Sequence, residues 1–395
     1  MVKKLTVIVL ALILGMGSIV SFTSKVSAMD AGKIWLNDDD TITYATINDA
    51  VAAGNTGDTI RISGLFDTTS AAFRDAVVNN DMTLEVVSDT TILNDDDDQN
   101  GITIASGSHI KTVNGSTLNM QGFKKALDLQ TGAEMNDGNY VFKDNHHVTL
   151  DGNVKGTSRE SLVVDITAYK FNKLHSEDLK LENATLKLTT SKVKTWDSPP
   201  DDGGDLPYRE VVNGYTWNFK NVLFVGTGLA PIQIPNMLVD NSDVSIDFLN
   251  KYARGLDTDF CLSGYGTVPP SEIRNSTFKL SNTLHGIVML DGTLNIDNSK
   301  IDLNISGDED RSRNDSGGGI LFNSGGNISI KNSELNFTRD NSYQTPVLIY
   351  GNLPSFIIGE NTVINTPANS DKSDEIGYAM DNIVAVEAGP TGYVV

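Results

Sequence analysis

HGIVMLDGTLNIDNSKIDLNI (285–305), GGILFNSGGNISIKNSELNF (318–337) and TPVLIYGNLPSFIIGENTVIN (345–365) are three near copies of one short pattern. Each copy has an apolar run, a turn that contains Gly or Asn, an alternating segment, an Asn at a second turn, and another alternating segment. Alternation with a period of two is typical of strands that bury one face. The pattern therefore predicts a rung of three strands joined by turns.

The short sequence motif around the second turn recurs upstream as LENATLKL (181–188), FKNVLFV (219–225), VDNSDVSI (239–246) and IRNSTFKL (273–280). Successive copies are separated by 38, 20, 34, 23, 34 and 29 residues, counted between Asn183, Asn221, Asn241, Asn275, Asn298, Asn332 and Asn361. Repeats at such periods indicate a stacked architecture in which each unit contacts its neighbours. Steps longer than a bare rung of about 20–25 residues indicate inserted loops.

These repeats predict an all-β fold, a right-handed parallel β-helix. A single rung cannot bury its inward row of side chains, so rungs stack. An Asn at the bend tolerates a left-handed backbone, and its side chain is expected to bond to the Asn of the next rung. A β-sandwich of short strands is the alternative. The recurrence of one motif at irregular spacing favours the solenoid, because sandwich strands have no reason to resemble one another.

Residues 1–28 have the features of a signal peptide. Lys3 and Lys4 form a basic start, an apolar run follows, and Val26-Ser27-Ala28 supplies small residues for cleavage. An uncleaved membrane anchor is the alternative reading. Cleavage predicts an extracellular protein, secreted or associated with the cell wall, with no membrane partner.

The composition narrows the partners further. Removal of residues 1–28 leaves 27 basic against 51 acidic residues, a formal charge of −24. This charge disfavours nucleic acid and anionic membranes as partners. Cys261 is the single cysteine, so no internal disulfide forms, and we expect it to be a small core residue. The partners left are an extracellular glycan or a host or cell-wall protein.

The opening of the mature chain predicts a cap. TINDAVAA (46–53) places Ile47, Ala50 and Val51 on one face of a helix with Thr46 as N-cap, and glycines end it before a strand. SAAFRDAVVN (70–79) also has a helical pattern. We assign residues 29–90 to the cap and first rungs, 91–370 to the β-helix, and 371–395 to a tail or the start of a following segment.

The phrase YATINDAVAAGNTGDTIRI (44–62), followed by β-helical rungs, resembles the opening of bacterial pectate-lyase-like proteins. Within that superfamily the chain is most similar to the pectate-lyase-like adhesive domains of Gram-positive surface proteins. The resemblance implies a helix across the first rung and a non-enzymatic adhesin. The alternatives are a calcium-dependent polysaccharide lyase or a glycoside hydrolase on the same scaffold, and a structural stalk.

Acids and arginines cluster most tightly in GDEDRSRND (307–315). A lyase needs carboxylates that hold calcium and a basic side chain that removes a proton. Asp308, Asp310, Arg311 and Arg313 are therefore the candidate catalytic residues, with a solvated charged turn as the simpler reading. His285 reads as a strand residue, and His146 and His147 as a surface turn.

The insert WDSPPDDGGDLPYREVVNGYTW (196–217) lacks periodicity and reads as the longest loop. Its aromatic residues predict a surface on which a sugar or peptide stacks, or a small core that pins the loop; they are Trp196, Tyr208, Tyr215 and Trp217. Acidic runs offer oxygen ligands for a structural Ca²⁺ ion, although none has a known calcium-loop spacing, and solvated acidic turns are the simpler reading. The candidate ligands are Asp95, Asp96, Asp97, Asp201, Asp202 and Asp205.

Overall fold

A computed structural model describes residues 29–96, 98–113, 115–168, 173–176, 178–190, 212–213, 216–227, 232–233, 236–248, 254–258, 270–283, 285–289, 292–305, 318–322, 326–339, 345–349 and 355–365. These residues form strands and, within the ranges just given, one helix, α1 (Ile47–Ala53). No helix in this described part is long and apolar enough to cross a membrane.

The strands form three ladders, which we call the first, second and third faces. The first face contains β6 (His109–Thr112), β9 (Glu134–Met135), β12 (Asn153–Lys155), β19 (Asn236–Asp240), β22 (Ser271–Arg274), β25 (Thr293–Asp297), β28 (Asn327–Lys331) and β31 (Ser355–Ile358). The second face contains β7 (Thr117–Gln121), β10 (Gly138–Lys143), β13 (Leu162–Ala168), β20 (Asp243–Asp247), β23 (Thr277–Thr283), β26 (Lys300–Ile305), β29 (Glu334–Arg339) and β32 (Val363–Asn365).

Four long strands bend and contribute to both of these faces: β2 (Thr59–Phe66), β4 (Thr83–Leu93), β15 (Asp178–Thr190) and β17 (Thr216–Thr227). The third face contains β3 (Ala76–Val78), β5 (Asn100–Ile104), β8 (Lys125–Leu129), β11 (His147–Leu150), β14 (Lys173–His175), β16 (Val212–Asn213), β18 (Ile232–Gln233), β21 (Arg254–Thr258), β24 (His285–Met289), β27 (Gly318–Phe322) and β30 (Thr345–Ile349). A further strand, β1 (Lys33–Leu36), precedes α1.

The chain visits the three faces in a fixed order, and each strand of these faces pairs in parallel with a strand of a neighbouring rung. In the C-terminal part, for example, β25 pairs with β22 and β28, β26 with β23 and β29, and β27 with β24 and β30. This is the pairing expected of a β-solenoid. It is incompatible with a β-sandwich, because sandwich sheets are antiparallel.

The interior is a continuous apolar core that runs from Ile34 to Ile358. Strand β17 shows how one strand fills two faces. Trp217 and Phe219 point inward before the bend, and Val222 and Phe224 point inward after it, so the bend shifts the alternation by one residue. The bend thus keeps apolar side chains inside on both faces.

Helix α1 and strand β1 contact β2 and β3 of the first rungs. Thr46 caps α1 in a capping box, and Ile47 and Ala50 are buried, as the sequence predicts. Strand β1 pairs antiparallel with β2. Asn48 on α1 accepts a hydrogen bond from the Val77 N–H (3.0 Å) and donates to the Asp75 carbonyl (3.3 Å), so its amide bonds to the backbone at the start of β3.

Two predictions about local structure are wrong. Residues 70–79 are a turn followed by β3, not a helix, because Asp75 adopts a left-handed conformation (φ 48°) and Ala76 and Val78 enter the core with strand alternation. The insert 196–217 is not a loop over its full length. Its last residues form β16 and the start of β17, since the alternating T-W-N-F segment belongs to a rung.

Candidate functional site

A groove runs along the bends between the first and second faces. We call it the bend groove; its volume is about 490 Å³. Four consecutive bends line it with three residues each, 241–243, 275–277, 298–300 and 332–334, and a fifth contributes Asn361 and Val363. Five rungs span about 19 Å, four strand spacings of about 4.8 Å each. The groove therefore extends across five rungs.

The backbone of each bend is built by one left-handed Asn. Its φ lies between 46° and 55° in all seven copies of the repeated motif, at Asn183, Asn221, Asn241, Asn275, Asn298, Asn332 and Asn361. Asn reaches this region at lower cost than other residues with a Cβ atom, because its short amide bonds locally. The left-handed bend predicted from the repeats is confirmed.

The side chains of these residues form a ladder of amides. Asn221 donates to the Oδ1 atom of Asn183 (2.8 Å) and Asn298 to that of Asn275 (3.0 Å). Asn361 donates to Asn332 (3.1 Å), and Asn241 makes a longer contact with Asn221 (3.5 Å). The predicted bond between neighbouring Asn residues thus occurs at four of the six steps.

At the other two steps the amide donates to an Asp. Asn275 Nδ2 bonds to Asp240 Oδ1 and Asn332 Nδ2 to Asp297 Oδ1, both at 3.0 Å. A carboxylate is the stronger acceptor, because its charge strengthens the hydrogen bond. These amide bonds are the leading reason why the pKa of Asp240 and the pKa of Asp297 are lowered.

A row of buried serines lies directly beneath the Asn ladder. The Ser276 Oγ atom accepts from the Ser242 N–H (3.0 Å), Ser299 Oγ from the Ser276 N–H (3.2 Å), and Ser333 Oγ from the Ser299 N–H (3.0 Å). Each of these hydroxyls donates in turn to a backbone carbonyl two residues before it. The row satisfies backbone groups that the bend removes from the strand ladders.

Charges alternate along the first face, one residue before each bend. Consecutive rungs carry Lys155, Glu182, Lys220, Asp240, Arg274, Asp297 and Lys331. Ion pairs join Glu182 to Lys155 (3.2 Å) and to Lys220 (3.1 Å), and bonds from these two lysines lower the pKa of Glu182. Opposite charges on adjacent strands stabilise one pairing register and disfavour a shift.

Arg159 closes one end of the bend groove. Its guanidinium group donates to Asn221 Oδ1 (2.9 Å), to Asp243 Oδ2 (2.6 Å) and to the Asn241 carbonyl (2.5 Å). Hydrogen bonds from Thr277 and then from Arg159 lower the pKa of Asp243. Arg159 therefore connects two rungs and holds Asp243 ionised.

The loop that carries Arg159 is tied to the rung before it by Asp137. This carboxylate accepts from the Thr157 N–H (2.7 Å), the Thr157 hydroxyl (3.0 Å) and the Ser161 hydroxyl (2.6 Å). Burial alone would raise the pKa of Asp137, but these three donors outweigh it and the pKa is lowered. Asp137 is thus a positioning residue for Arg159.

The groove carries balanced charges. Its lining contains two basic residues, Arg159 and Lys300, and two acidic residues, Asp243 and Glu334, and the remaining lining is Asn, Ser, Thr and one Val. Since the pKa of Asp243 is lowered, this carboxyl group is ionised at neutral pH and is no proton donor. The chemistry offered is hydrogen bonding by amides and hydroxyls to a neutral, elongated ligand.

The candidate catalytic residues lie outside the described residues, and so does Cys261. This holds for all four members of the acid–arginine cluster, Asp308, Asp310, Arg311 and Arg313. The backbone of His285 lies in β24, as expected of a strand residue. The rings of His146 and His147 are 6.4 Å apart, edge to face.

The predicted aromatic stacking surface is wrong for Trp217. Its side chain is 1% exposed and packs against the Phe219 ring, with centroids 5.3 Å apart. Trp217 is an inward residue of β17, because the strand begins one residue before it and it alternates in phase with Phe219. Trp196, Tyr208 and Tyr215 lie outside the described residues.

The calcium candidates are only partly described. Asp95 forms an ion pair with Arg74 (3.6 Å), and the Asp96 carboxylate accepts from the Asp98 N–H (3.1 Å). Within the described ranges no group of three His, Cys, Asp or Glu side chains is arranged to hold a metal ion. The other four candidates lie outside those ranges: Asp97, Asp201, Asp202 and Asp205.

The comparisons with known proteins give no family. No protein-family model matches the chain, no curated protein matches it, and no solved structure matches it.

Sequence reasoning missed Arg159 and the serine row. A signal for the serines was present, because Ser follows the bend Asn in four consecutive repeats, as in DNSD, RNST, DNSK and KNSE. Nothing in the sequence marks Arg159, since it lies 62 residues before Asn221, to which it bonds.

Proposed function

We propose that this chain is an exported right-handed parallel β-helix that binds an extended neutral glycan in the bend groove. The single observation behind the proposal is the groove itself, which crosses five rungs and is lined by amide and hydroxyl groups with balanced charges. Such a surface suits a polymer that lies along the solenoid axis and bonds to several rungs. Repeat folds commonly bind along extended surfaces of this kind.

The proposal extends to the architecture. The fixed order of faces, the parallel pairing and the seven equivalent Asn bends support a β-helix of the pectate-lyase-like adhesive type. The contacts of α1 and β1 with the first rung support an N-terminal cap, because the end of a solenoid exposes strand edges that must be covered.

We propose binding without turnover. Hydrogen bonds from Thr277 and Arg159 lower the pKa of Asp243 and favour its ionised form, whereas glycoside hydrolysis uses a carboxylic acid that is protonated before it acts. The role that fits is adhesion to a glycan at the cell surface or in a matrix.

Affinity electrophoresis of the purified protein tests this function. We expect retardation in gels that contain a neutral β-linked polysaccharide, no retardation by polygalacturonate, and no new reducing ends or unsaturated products from either. Thr277→Arg places a long side chain in the groove and should abolish retardation. The matched control Asn218→Arg changes an exposed position outside the groove lining and should leave it intact.

The proposal is overturned if products form, if Thr277→Arg and Asn218→Arg behave alike, or if no glycan retards the protein. The last outcome would favour a host or cell-wall protein as the ligand.

A further inference from the structure

The amide oxygens of the bend Asn residues are not equivalent. Because Asn275 donates to Asp240, the Oδ1 atom of Asn241 receives no hydrogen bond from any described residue. Two rungs further on, Asn332 donates to Asp297 in the same way. The Oδ1 atom of Asn298 is likewise left without a donor among the described residues.

The intervening oxygens are occupied. Asn275 Oδ1 accepts from Asn298 (3.0 Å) and Asn332 Oδ1 accepts from Asn361 (3.1 Å). Occupied and open acceptors therefore alternate from rung to rung over this stretch. All of these side chains are exposed in the bend groove, so the open oxygens are accessible to a ligand.

The alternation has a cause in the charge row of the first face. An Asp precedes the bend at Asn241 and at Asn298, whereas Arg274 and Lys331 precede the bends between and after them. Each carboxylate attracts the amide of the next rung away from the neutral Asn oxygen. Between Asn241 and Asn332, the charge row that fixes the strand register thus also leaves every second amide oxygen open.

The spacing of the open acceptors selects a type of ligand. Two rungs correspond to about 9.6 Å, twice the strand spacing. In an extended β-1,4-linked glycan, each sugar is turned over relative to the last, so a given substituent faces the same side once in every two sugars. The repeat of two sugar lengths is similar to two rungs. A ligand with one N–H donor per sugar would place such a donor at each open oxygen.

We propose that the bend groove is selective for β-1,4-linked chains of N-acetylated amino sugars, whose acetamido N–H groups bond to the open amide oxygens of Asn241 and Asn298. This inference rests on the proposed glycan-binding function and adds the chemical class of the sugar. An amide N–H donates and cannot accept, so it matches an acceptor that has no donor of its own.

Isothermal titration calorimetry with two hexasaccharides tests the proposal. One is the β-1,4-linked hexamer of N-acetylglucosamine, and the other is the β-1,4-linked hexamer of glucose, which carries hydroxyls in place of the acetamido groups. We expect the acetylated hexamer to bind at least about tenfold more tightly, because two hydrogen bonds distinguish the ligands.

Matched variants locate the effect. Asn298→Gly keeps the left-handed bend and removes an open oxygen, and we expect it to weaken binding of the acetylated hexamer about fivefold. Asn332→Gly also removes a ladder amide, but its oxygen is already occupied by Asn361, so binding should change less than about twofold. Thermal melts establish that both variants are folded.

The three outcomes separate the two proposals. Equal binding of both hexamers, or equal losses in Asn298→Gly and Asn332→Gly, would overturn the selectivity for acetylated sugars and leave glycan binding intact. Failure of both hexamers to bind, together with no retardation by any neutral polysaccharide, would overturn the glycan function and the selectivity with it.

Discussion

The bends before residue 162 and the bends from Asn183 onward join the same two faces in different ways. In the earlier region the bend is built differently in each rung. The bends use Gly64 in β2, a register shift in β4, Gly115 between β6 and β7, and the segment 156–161 between β12 and β13. In the later region a left-handed Asn and one inward residue make each bend from Asn183 to Asn332. Only identical bends place identical groups at each strand spacing, and the amide ladder and its groove follow from that.

The largest difference should appear at the glycines of the earlier region. A Cβ atom on Gly64 would lie 2.6 Å from the Asp30 carbonyl oxygen, and φ is 87°. We expect Gly64→Ala to lower the free energy of unfolding by about 3 kcal/mol through strain and overpacking. Gly115→Ala meets nothing within 4 Å and should cost about 1 kcal/mol at φ 72°. Denaturant titrations of the two variants measure these losses. Equal losses of unfolding free energy would contradict the inference that the bends of the earlier region differ from one another.

The serine row of the later region should give the next largest effect. Ser299→Ala removes the acceptor of the buried Ser276 N–H (3.2 Å). We expect a loss of about 1–3 kcal/mol in the free energy of unfolding, the cost of a buried unsatisfied group. Ser329→Ala, at a partly exposed position on β28, serves as control and should stay within about 0.5 kcal/mol. A harmless Ser299→Ala would show that the row is dispensable.

The Asn bends themselves should tolerate glycine better than alanine. Asn298→Ala must hold a left-handed backbone (φ 46°) with a Cβ atom and no amide, so we expect it to cost about 1–2 kcal/mol of stability. Asn298→Gly loses the same amide but adopts this φ freely, and should cost less than half as much. Equilibrium unfolding in urea measures both, and an alanine variant as stable as the glycine variant would argue against the left-handed bend.

The smallest effect should come from the charge row. The pKa of Asp240 is lowered below 3.8, first by the bond from Asn275 and then by Arg274, so its charged form is favoured in the folded state. The resulting stability is fully present above pH 3.8 and is lost as the pH falls through the lower folded value. We expect Asp240→Asn to flatten the acid limb of a stability–pH curve by less than about 1 kcal/mol in 0.15 M salt. An unchanged slope would contradict the role of this bond.

The C-terminal rungs were predictable from sequence because their bends repeat. The inward and outward alternation of the strands, the left-handed Asn and the bonds between neighbouring amides all follow from the recurring motif. Asp240 and Asp297 diverted two of those bonds, and this could not be predicted without the strand register that places each carboxylate next to the following Asn. The same is true of Arg159, whose partners lie 62 to 84 residues away in the chain.

The errors arose where a pattern was read locally. The apolar residues of 70–79 have helical spacing. The left-handed conformation of Asp75 nevertheless ends the turn, and Ala76 to Val78 form strand β3 of the third face. Trp217 follows the polar insert in the sequence, although it alternates with Phe219 as an inward strand residue. In both cases the tertiary pairing outweighed the local signal.

The most direct test of a binding groove built from Asn amides is an NMR titration of protein labelled with ¹⁵N only at asparagine side chains. The signals of Asn241, Asn275, Asn298 and Asn332 can be assigned by their loss in the corresponding Asn→Gly variants. On addition of the N-acetylglucosamine hexamer, we predict shifts in these bend amides, largest for Asn241 and Asn298, and none in Asn153 or Asn218, which lie outside the groove lining. Shifts confined to amides outside the groove, or no shifts at all, would contradict the account.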